Sequence, residues 1–275
     1  MQTILVPIDF SDASRSASLY AATLAKATGA KLLLFHSYMI PTPVSEVPYV
    51  MVSVDEIQAE NEKFIRKEAV TIHANFGVEV ETLLQIGMPS DEITILAEEK
   101  NVALTIIGMR GAGGIDKLIG STTATVVRKS KTPVLVVPHD FVFRNISRIV
   151  YASDFSYASS TTLFAPLIEI GRAYHSNLSV IHVQKAPGTT ISKEEQQSKA
   201  DITTTLAELN PEFTVINDES ISHGIKSYTG EKNADLLVMV SHRHNFFDRL
   251  FSKIHTTEMA YETRIPLLVL PDNRR

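Results

Sequence analysis

Two clusters of residues have types and spacing suited to holding a charged ligand. The first is Asp9, in Val6-Pro7-Ile8-Asp9-Phe10-Ser11, where a carboxylate follows directly on a short apolar run. The second is the stretch from Gly108 to Thr123. Its Gly108, Gly111, Gly113 and Gly114 let backbone approach a ligand closely and adopt positive φ. Gly120-Ser121-Thr122 then opens a helix, whose first amides have no intrahelical partner and whose dipole favours an anion. The Ser121 and Thr122 hydroxyls add donors, so the stretch reads as a phosphate cradle. Arg110 fits either a phosphate contact or an ion pair between domains. Asp9 fits either a ligand contact or a cap on the following helix.

Neither common phosphate motif describes this cradle. A Walker A loop needs Lys before the helix-opening Ser or Thr, and Gly120 stands there instead. The dinucleotide fingerprint follows the first strand of its fold and ends in a third glycine; here Asp116 occupies that place and the loop comes much later. Catalytic signatures are missing as well. The chain has no Cys, no G-x-S-x-G and no H-E-x-x-H, and nothing marks a general base beside Ser121. Lack of Cys also removes disulfides, thiolate catalysis and Cys-ligated metals.

These clusters need elements to position them, and the chain supplies them twice. Ile4–Ser11 returns as Ile149–Ser156, Lys31–His36 as Asn177–His182, and Thr132–Pro138 as Ile265–Pro271. The offset is 145 at the start and 133 at the end, so the second copy is 12 residues shorter. Copies this long are domains rather than solenoid repeats, and the expected division is 1–142 and 143–275, with a short connection around 139–144 that packs the two together. Strands are expected at 2–8, 31–36, 78–85, 103–108 and 133–137, nearly continuous in apolarity as in a sheet covered on both faces. Helices are expected at 13–27, 54–75, 89–100 and 121–131. Strand–helix alternation implies an α/β fold of two doubly wound domains, each with a five-stranded, mostly parallel sheet. Ligands in such sheets bind beyond the carboxyl ends of the strands, where Asp9 and the glycine-rich loop both lie.

The 275 residues carry 26 basic and 31 acidic side chains, a net charge of −5, which gives no general attraction to nucleic acid or to an anionic membrane. No apolar run approaches the roughly 20 residues that span a bilayer, and the first ten residues lack the pattern of a secretion signal. A soluble cytoplasmic protein is expected.

The combination of Val6-Pro7-Ile8-Asp9-Phe10-Ser11, the Gly108–Thr122 loop and the closing Pro133-Val134-Leu135-Val136-Val137-Pro138 strand resembles the universal stress protein family, in tandem. The resemblance covers nearly the whole chain, twice. It implies an adenine nucleotide alpha hydrolase-like fold and a stress-response protein that binds ATP, or ADP or AMP, with Mg²⁺ in company. It places Asp9 on the adenine or ribose side, Pro7 against the base, Ser37 with its backbone toward the adenine, and Ile107 and Gly108 beside ribose and phosphates. It places Gly111, Gly120, Ser121 and Thr122 around the phosphates; Gly113 and Arg110 join the candidate set from the loop itself, Arg110 with the ion pair as its alternative, and slow ATP hydrolysis stands as the enzymatic alternative to binding alone. The loop has eight residues between Gly111 and Gly120, one fewer than the family spacing. The resemblance also implies that Val134–Val137 and Leu267–Leu270 pair antiparallel within the chain, as an internal pseudo-dimer, with room for association of two chains and for protein partners.

The second copy departs from this pattern. Aligned without gaps, Ser241 stands at Gly108, His244 at Gly111, Phe246 and Phe247 at Gly113 and Gly114, and Lys253 at Gly120. Every glycine is gone, and Ala152 replaces Pro7. The second domain is therefore expected not to hold ATP. His36 and His182 recur at matching strand ends, which suggests packing or a hydrogen bond as readily as function.

Overall fold

The computed structural model describes residues 1–40, 53–109, 121–139, 141–155, 160–185, 192–241 and 265–271. The first half runs β1 (Thr3–Pro7), α1 (Asp12–Thr28), β2 (Lys31–Tyr38), α2 (Val54–Phe76), β3 (Val80–Ile86), α3 (Pro89–Glu99), β4 (Leu104–Met109), α4 (Ser121–Lys129) and β5 (Val134–Pro138). The second runs β6 (Arg148–Ala152), α5 (Thr161–Tyr174), β7 (Asn177–Gln184), α6 (Lys193–Thr205), β8 (Glu212–Asn217), α7 (Ile221–Glu231), β9 (Leu236–Ser241) and β10 (Leu267–Pro271). The expected strands and helices of the first half all form, within about three residues at each end.

Local chemistry explains the boundaries. Helix α1 is capped by Ser11, whose hydroxyl accepts from the Ser14 amide, and it ends at Gly29 in the left-handed region, φ 70°. Helix α2 opens on a capping box between Ser53 and Glu56 and ends at Gly77, φ 72°. Helix α3 begins at Pro89, where a missing N–H costs nothing.

The ten strands among the described residues lie in one sheet, in the order β3-β2-β1-β4-β5-β10-β9-β6-β7-β8. Every pairing is parallel except the central one. There β5 and β10 run antiparallel, Leu267 opposite Val136, Leu268 opposite Leu135 and Val269 opposite Val134. These residues are buried on both faces, so the seam between the halves is as apolar as the interior of either. The outer strand β3 departs from the expectation of continuous apolarity, and β8 at the other edge is equally exposed. In β3 and β8 most residues are partly or fully exposed, because an edge strand has fewer neighbours to bury it.

Apolar side chains fill both sides of the sheet. One layer gathers α1, α2 and α5 with Ile4, Val6, Leu104, Ile106, Leu236, Val238 and Val240. The other gathers α3 and α4 with Leu5, Ile107, Met109, Leu237 and Met239. The connection between the halves joins the first layer: the Phe143 ring lies 4.9 Å from Tyr20 and 5.8 Å from Tyr174, and Phe141 lies 5.9 Å from Tyr20.

One pairing differs between the halves. Strands β1 and β4 share two paired positions, Ile4–Leu104 and Leu5–Thr105. Strands β6 and β9 share four, from Ile149–Leu236 to Ala152–Met239. The Ile8 amide donates to Phe35 on β2, so by strand alternation the backbone of Pro7 faces β4. Proline has no hydrogen to give there, and the ladder stops. Ala152 keeps its N–H, and the ladder runs on to the end of β6.

Two outcomes follow from this packing. Burial drives the Tyr20 phenol well above 10 and pushes Tyr174 up to about 12. Both groups hold their proton in the fold after the unfolded chain has released it. Stability is thus unaffected by them below about pH 10 and falls as pH rises above it, by up to about 1.4 kcal/mol per pH unit for Tyr20. The Tyr20 hydroxyl is buried and has no hydrogen-bond partner among the described residues, so Tyr20→Phe should hold or gain up to about 1 kcal/mol at pH 8. Urea unfolding at pH 8 and pH 10.5 reads both effects; a Tyr20→Phe chain with an unchanged alkaline slope contradicts the assignment. Separately, Ala152→Pro should cost about 1–3 kcal/mol by removing a ladder donor in the second half, measured by thermal unfolding against Ala152→Gly.

Candidate functional site

The strand order reverses direction at β1, since β2 lies to one side and β4 to the other. A crevice at such a switch point, beyond the carboxyl ends of the strands, is where an open α/β sheet takes its ligand. Asp9 leaves β1 on one side of it, and Gly108-Met109 end β4 on the other. The topology therefore brings Asp9 beside the end of β4, from positions about 100 residues apart.

Asp9 does not cap α1 itself. Its Oδ1 accepts from the Ser11 amide at 3.1 Å and from the Ser11 hydroxyl at 2.5 Å. Ser11 in turn accepts from the Ser14 amide at 3.3 Å. The carboxylate thus braces the residue that caps the helix, an Asx-type turn, while remaining exposed at the crevice. Phe10, between them, has φ 62°, a costly conformation for a bulky residue. Its ring lies 4.7 Å from His36 and 5.6 Å from Phe64 of α2.

His36 accounts for its own recurrence. Its Nδ1–H donates to the Ile8 carbonyl at 2.7 Å. In the second half His182 Nδ1–H donates to the Ser153 carbonyl at 2.9 Å, and the Phe155 ring, also at positive φ (55°), lies 4.9 Å from it. Both halves contain the same bracket, so its role is to hold the turn after the strand.

Ser37 lies where β2 outruns β1. Its hydroxyl donates to the Gly87 carbonyl at 2.8 Å, tying the ends of β2 and β3. Its backbone faces the β1 side by the same alternation that directs Phe35 to Ile8. Pro7 is buried at the end of β1, two residues before Asp9. The Ile107 side chain points into the core beneath α3 and α4, so only its backbone can reach the crevice. Gly108 faces the other way, toward α1. A Cβ there would lie 2.2 Å from the Ala13 carbonyl oxygen and 3.0 Å from the Ser14 nitrogen. Its carbonyl accepts from the Thr123 hydroxyl at 3.0 Å, which anchors the start of α4. Ser121 and Thr122 open that helix, the first exposed and the second half-buried. Arg110, Gly111, Gly113 and Gly120 lie outside the described residues. Sequence reasoning missed Ser11, Phe10 and Thr123; a Ser two residues after an Asp before a helix was the available signal for the first.

The register corrects one alignment. Thr105 pairs with Val134, and Leu237 pairs with Leu267; Ile4 pairs with Leu104, and Ile149 with Leu236. Val240, not Ser241, therefore occupies the place of Gly108. Core membership agrees: Ile106 and Leu104 share one face, as do Val240, Val238 and Leu236. A gapless match carried back from the last strand shifts the side chains by one residue, which in a strand turns each to the opposite face.

Among the described residues no group of three or more His, Asp or Glu could hold a metal ion, and no helix is long and apolar enough to cross a membrane.

Known proteins share both the fold and the two-fold layout. Across 98% of both chains, at 22% identity, the structure matches a crystal structure of a universal stress protein from Archaeoglobus fulgidus with a TM-score of 0.74, which establishes the fold. A universal stress protein of Mycolicibacterium smegmatis is 27% identical over 289 residues, covering 97% of this chain and 96% of its own length. Universal stress protein YxiE of Bacillus subtilis is 34% identical over 147 residues, covering 49% of this chain and 97% of its own. The model of the universal stress protein family matches residues 1–138 and again residues 145–271. The chain belongs to the universal stress protein family.

Proposed function

We propose that the first half, as the unit 1–142, binds an adenine nucleotide, ATP or its ADP or AMP relatives, and that the unit 143–275 does not. The protein then acts as a nucleotide-dependent regulatory or protective protein of the stress response. The observation that carries this reading is the meeting of Asp9, the end of β4 and the start of α4 at the switch point of the sheet. An exposed carboxylate is suited to ribose hydroxyls, and the exposed Ser121 at the first turn of α4 is suited to phosphate oxygens. The backbone of Ser37 is placed for the base, and Pro7 supplies an apolar floor. The loop residues Arg110, Gly111, Gly113 and Gly120, with Thr122, complete the phosphate end in this reading.

Magnesium fits only as a companion of the nucleotide. The described residues offer no carboxylate cluster for it, so phosphate oxygens would supply its ligands, with water filling the rest. It would neutralise phosphate charge while Ser121 and Thr122 orient the chain of phosphates.

The second half supports the asymmetry by its packing. Its β6–β9 ladder runs to the end of the strand, and the buried Val240 stands where Gly108 stands in the first.

Small molecules released by denaturing freshly purified protein, read by mass spectrometry, test the reading. Adenine nucleotide should appear, and should be lost from a Gly111→Val/Gly120→Val chain. Absence of nucleotide, followed by no binding of ATP with Mg²⁺ on titration, would contradict it and favour a scaffold that works through protein partners.

A further inference from the structure

We propose that Gly108 is a positioning residue of the nucleotide site, acting through the first turn of α1 rather than by making room for phosphate. The inference deepens the nucleotide reading above and rests on it for its binding arm.

The space that a side chain at position 108 would need is already taken by protein. Its Cβ would fall 2.2 Å from the Ala13 carbonyl oxygen, 2.6 Å from the Ala13 carbonyl carbon and 3.0 Å from the Ser14 nitrogen. All three are backbone atoms of the first turn of α1, and backbone cannot swing aside as a flexible side chain can. That turn is the one Ser11 caps and Asp9 braces. A continuous set of contacts thus runs from the end of β4, through the first turn of α1, to the carboxylate on the far side of the crevice. Gly108 also accepts from Thr123 at 3.0 Å, so the same residue locates the first turn of α4. Its bare Cα allows two helix starts to converge on one strand end.

The second half supplies an independent observation. Helices α1 and α5 both end in a left-handed cap, at Gly29 and His175. Aligned there, α1 has 17 residues and α5 has 14, so α5 begins three residues later, close to one turn. The residue opposite is Val240, buried among the same layer of apolar side chains. Where the helix reaches the strand end the strand carries Gly; where the helix starts later the strand carries Val. A glycine kept only to admit phosphate has no reason to vary with the length of a helix on the other side of the sheet.

Gly108→Ala is the test, read first by amide hydrogen exchange in the absence of nucleotide. The Ser14 and Arg15 amides, which bond to the Ser11 hydroxyl and carbonyl, should exchange about tenfold faster or more, while Val126 and Val127 in α4 keep their rates. A folded Gly108→Ala chain whose Ser14 and Arg15 rates are unchanged overturns the proposal. The second reading is ATP affinity by titration. Gly108→Ala should weaken binding about tenfold or more, and the loss should shrink below about threefold in an Asp9→Ala background, since coupled residues are not additive. Equal losses in both backgrounds would mean that Gly108 meets the ligand itself. Should Gly108→Ala fail to fold, Ser11→Ala loosens the same turn with Gly108 intact. It should speed Ser14 exchange and weaken ATP about threefold or more; unchanged values overturn the proposal. An unsubstituted protein that takes up no ATP sinks the nucleotide reading instead, and the exchange measurement then decides the role of Gly108 alone.

Discussion

The carbonyl of Ala13 sits where a side chain on residue 108 would have to go, and much of the first half is arranged by that contact. It fixes how far α1 can slide along the sheet, and α1 carries Ser11 and, through it, Asp9. It also leaves the end of β4 free to meet α4 through Thr123. Tight packing transmits placement in this way because a protein interior has little free volume to absorb a shift.

A second constraint joins the halves. The antiparallel pairing of β5 with β10 makes one ten-stranded sheet from two five-stranded ones. Both apolar layers then run across the seam, and the aromatic cluster of Tyr20, Phe141, Phe143 and Tyr174 closes one side of it. Within this shared frame the halves differ beside the first strand of each. The bracket of Phe10 and His36 persists as Phe155 and His182, so the turn after the first strand is structural in both. The ladder beside it is not the same: Pro7 ends it early and Ala152 lets it continue. The first strand of each half thus ends differently at the crevice, although the turn after it is the same.

The sequence made much of this legible. The apolar runs of β1, β2, β4 and β5, the Gly29 stop and the Pro89 start are local signals, and local propensity agreed with the packing at each. The meeting of Asp9 with the end of β4 was legible through the strand–helix alternation, which implies a switch point without showing its atoms. What could not be read is instructive. Gly108 looks the same in sequence whether its missing Cβ admits a ligand or a helix. Asp-Phe-Ser occurs in both halves, yet α1 and α5 begin at different places after it. The position of Val240 needed side-chain parity across three paired strands, which a gapless match over a loop of altered length does not preserve. The edge strand β3 is less apolar than expected, because sequence does not say which strand lies outermost.

The proposed nucleotide site lies in the first half, where Asp9 stands exposed after β1. Titration calorimetry with ATP and Mg²⁺ on the whole chain, beside Asp9→Ala and Asp154→Ala, addresses it most directly. One site per chain is expected, weakened about tenfold or more by Asp9→Ala and unchanged by Asp154→Ala. Two sites per chain, or binding that depends on Asp154 and not on Asp9, would contradict it.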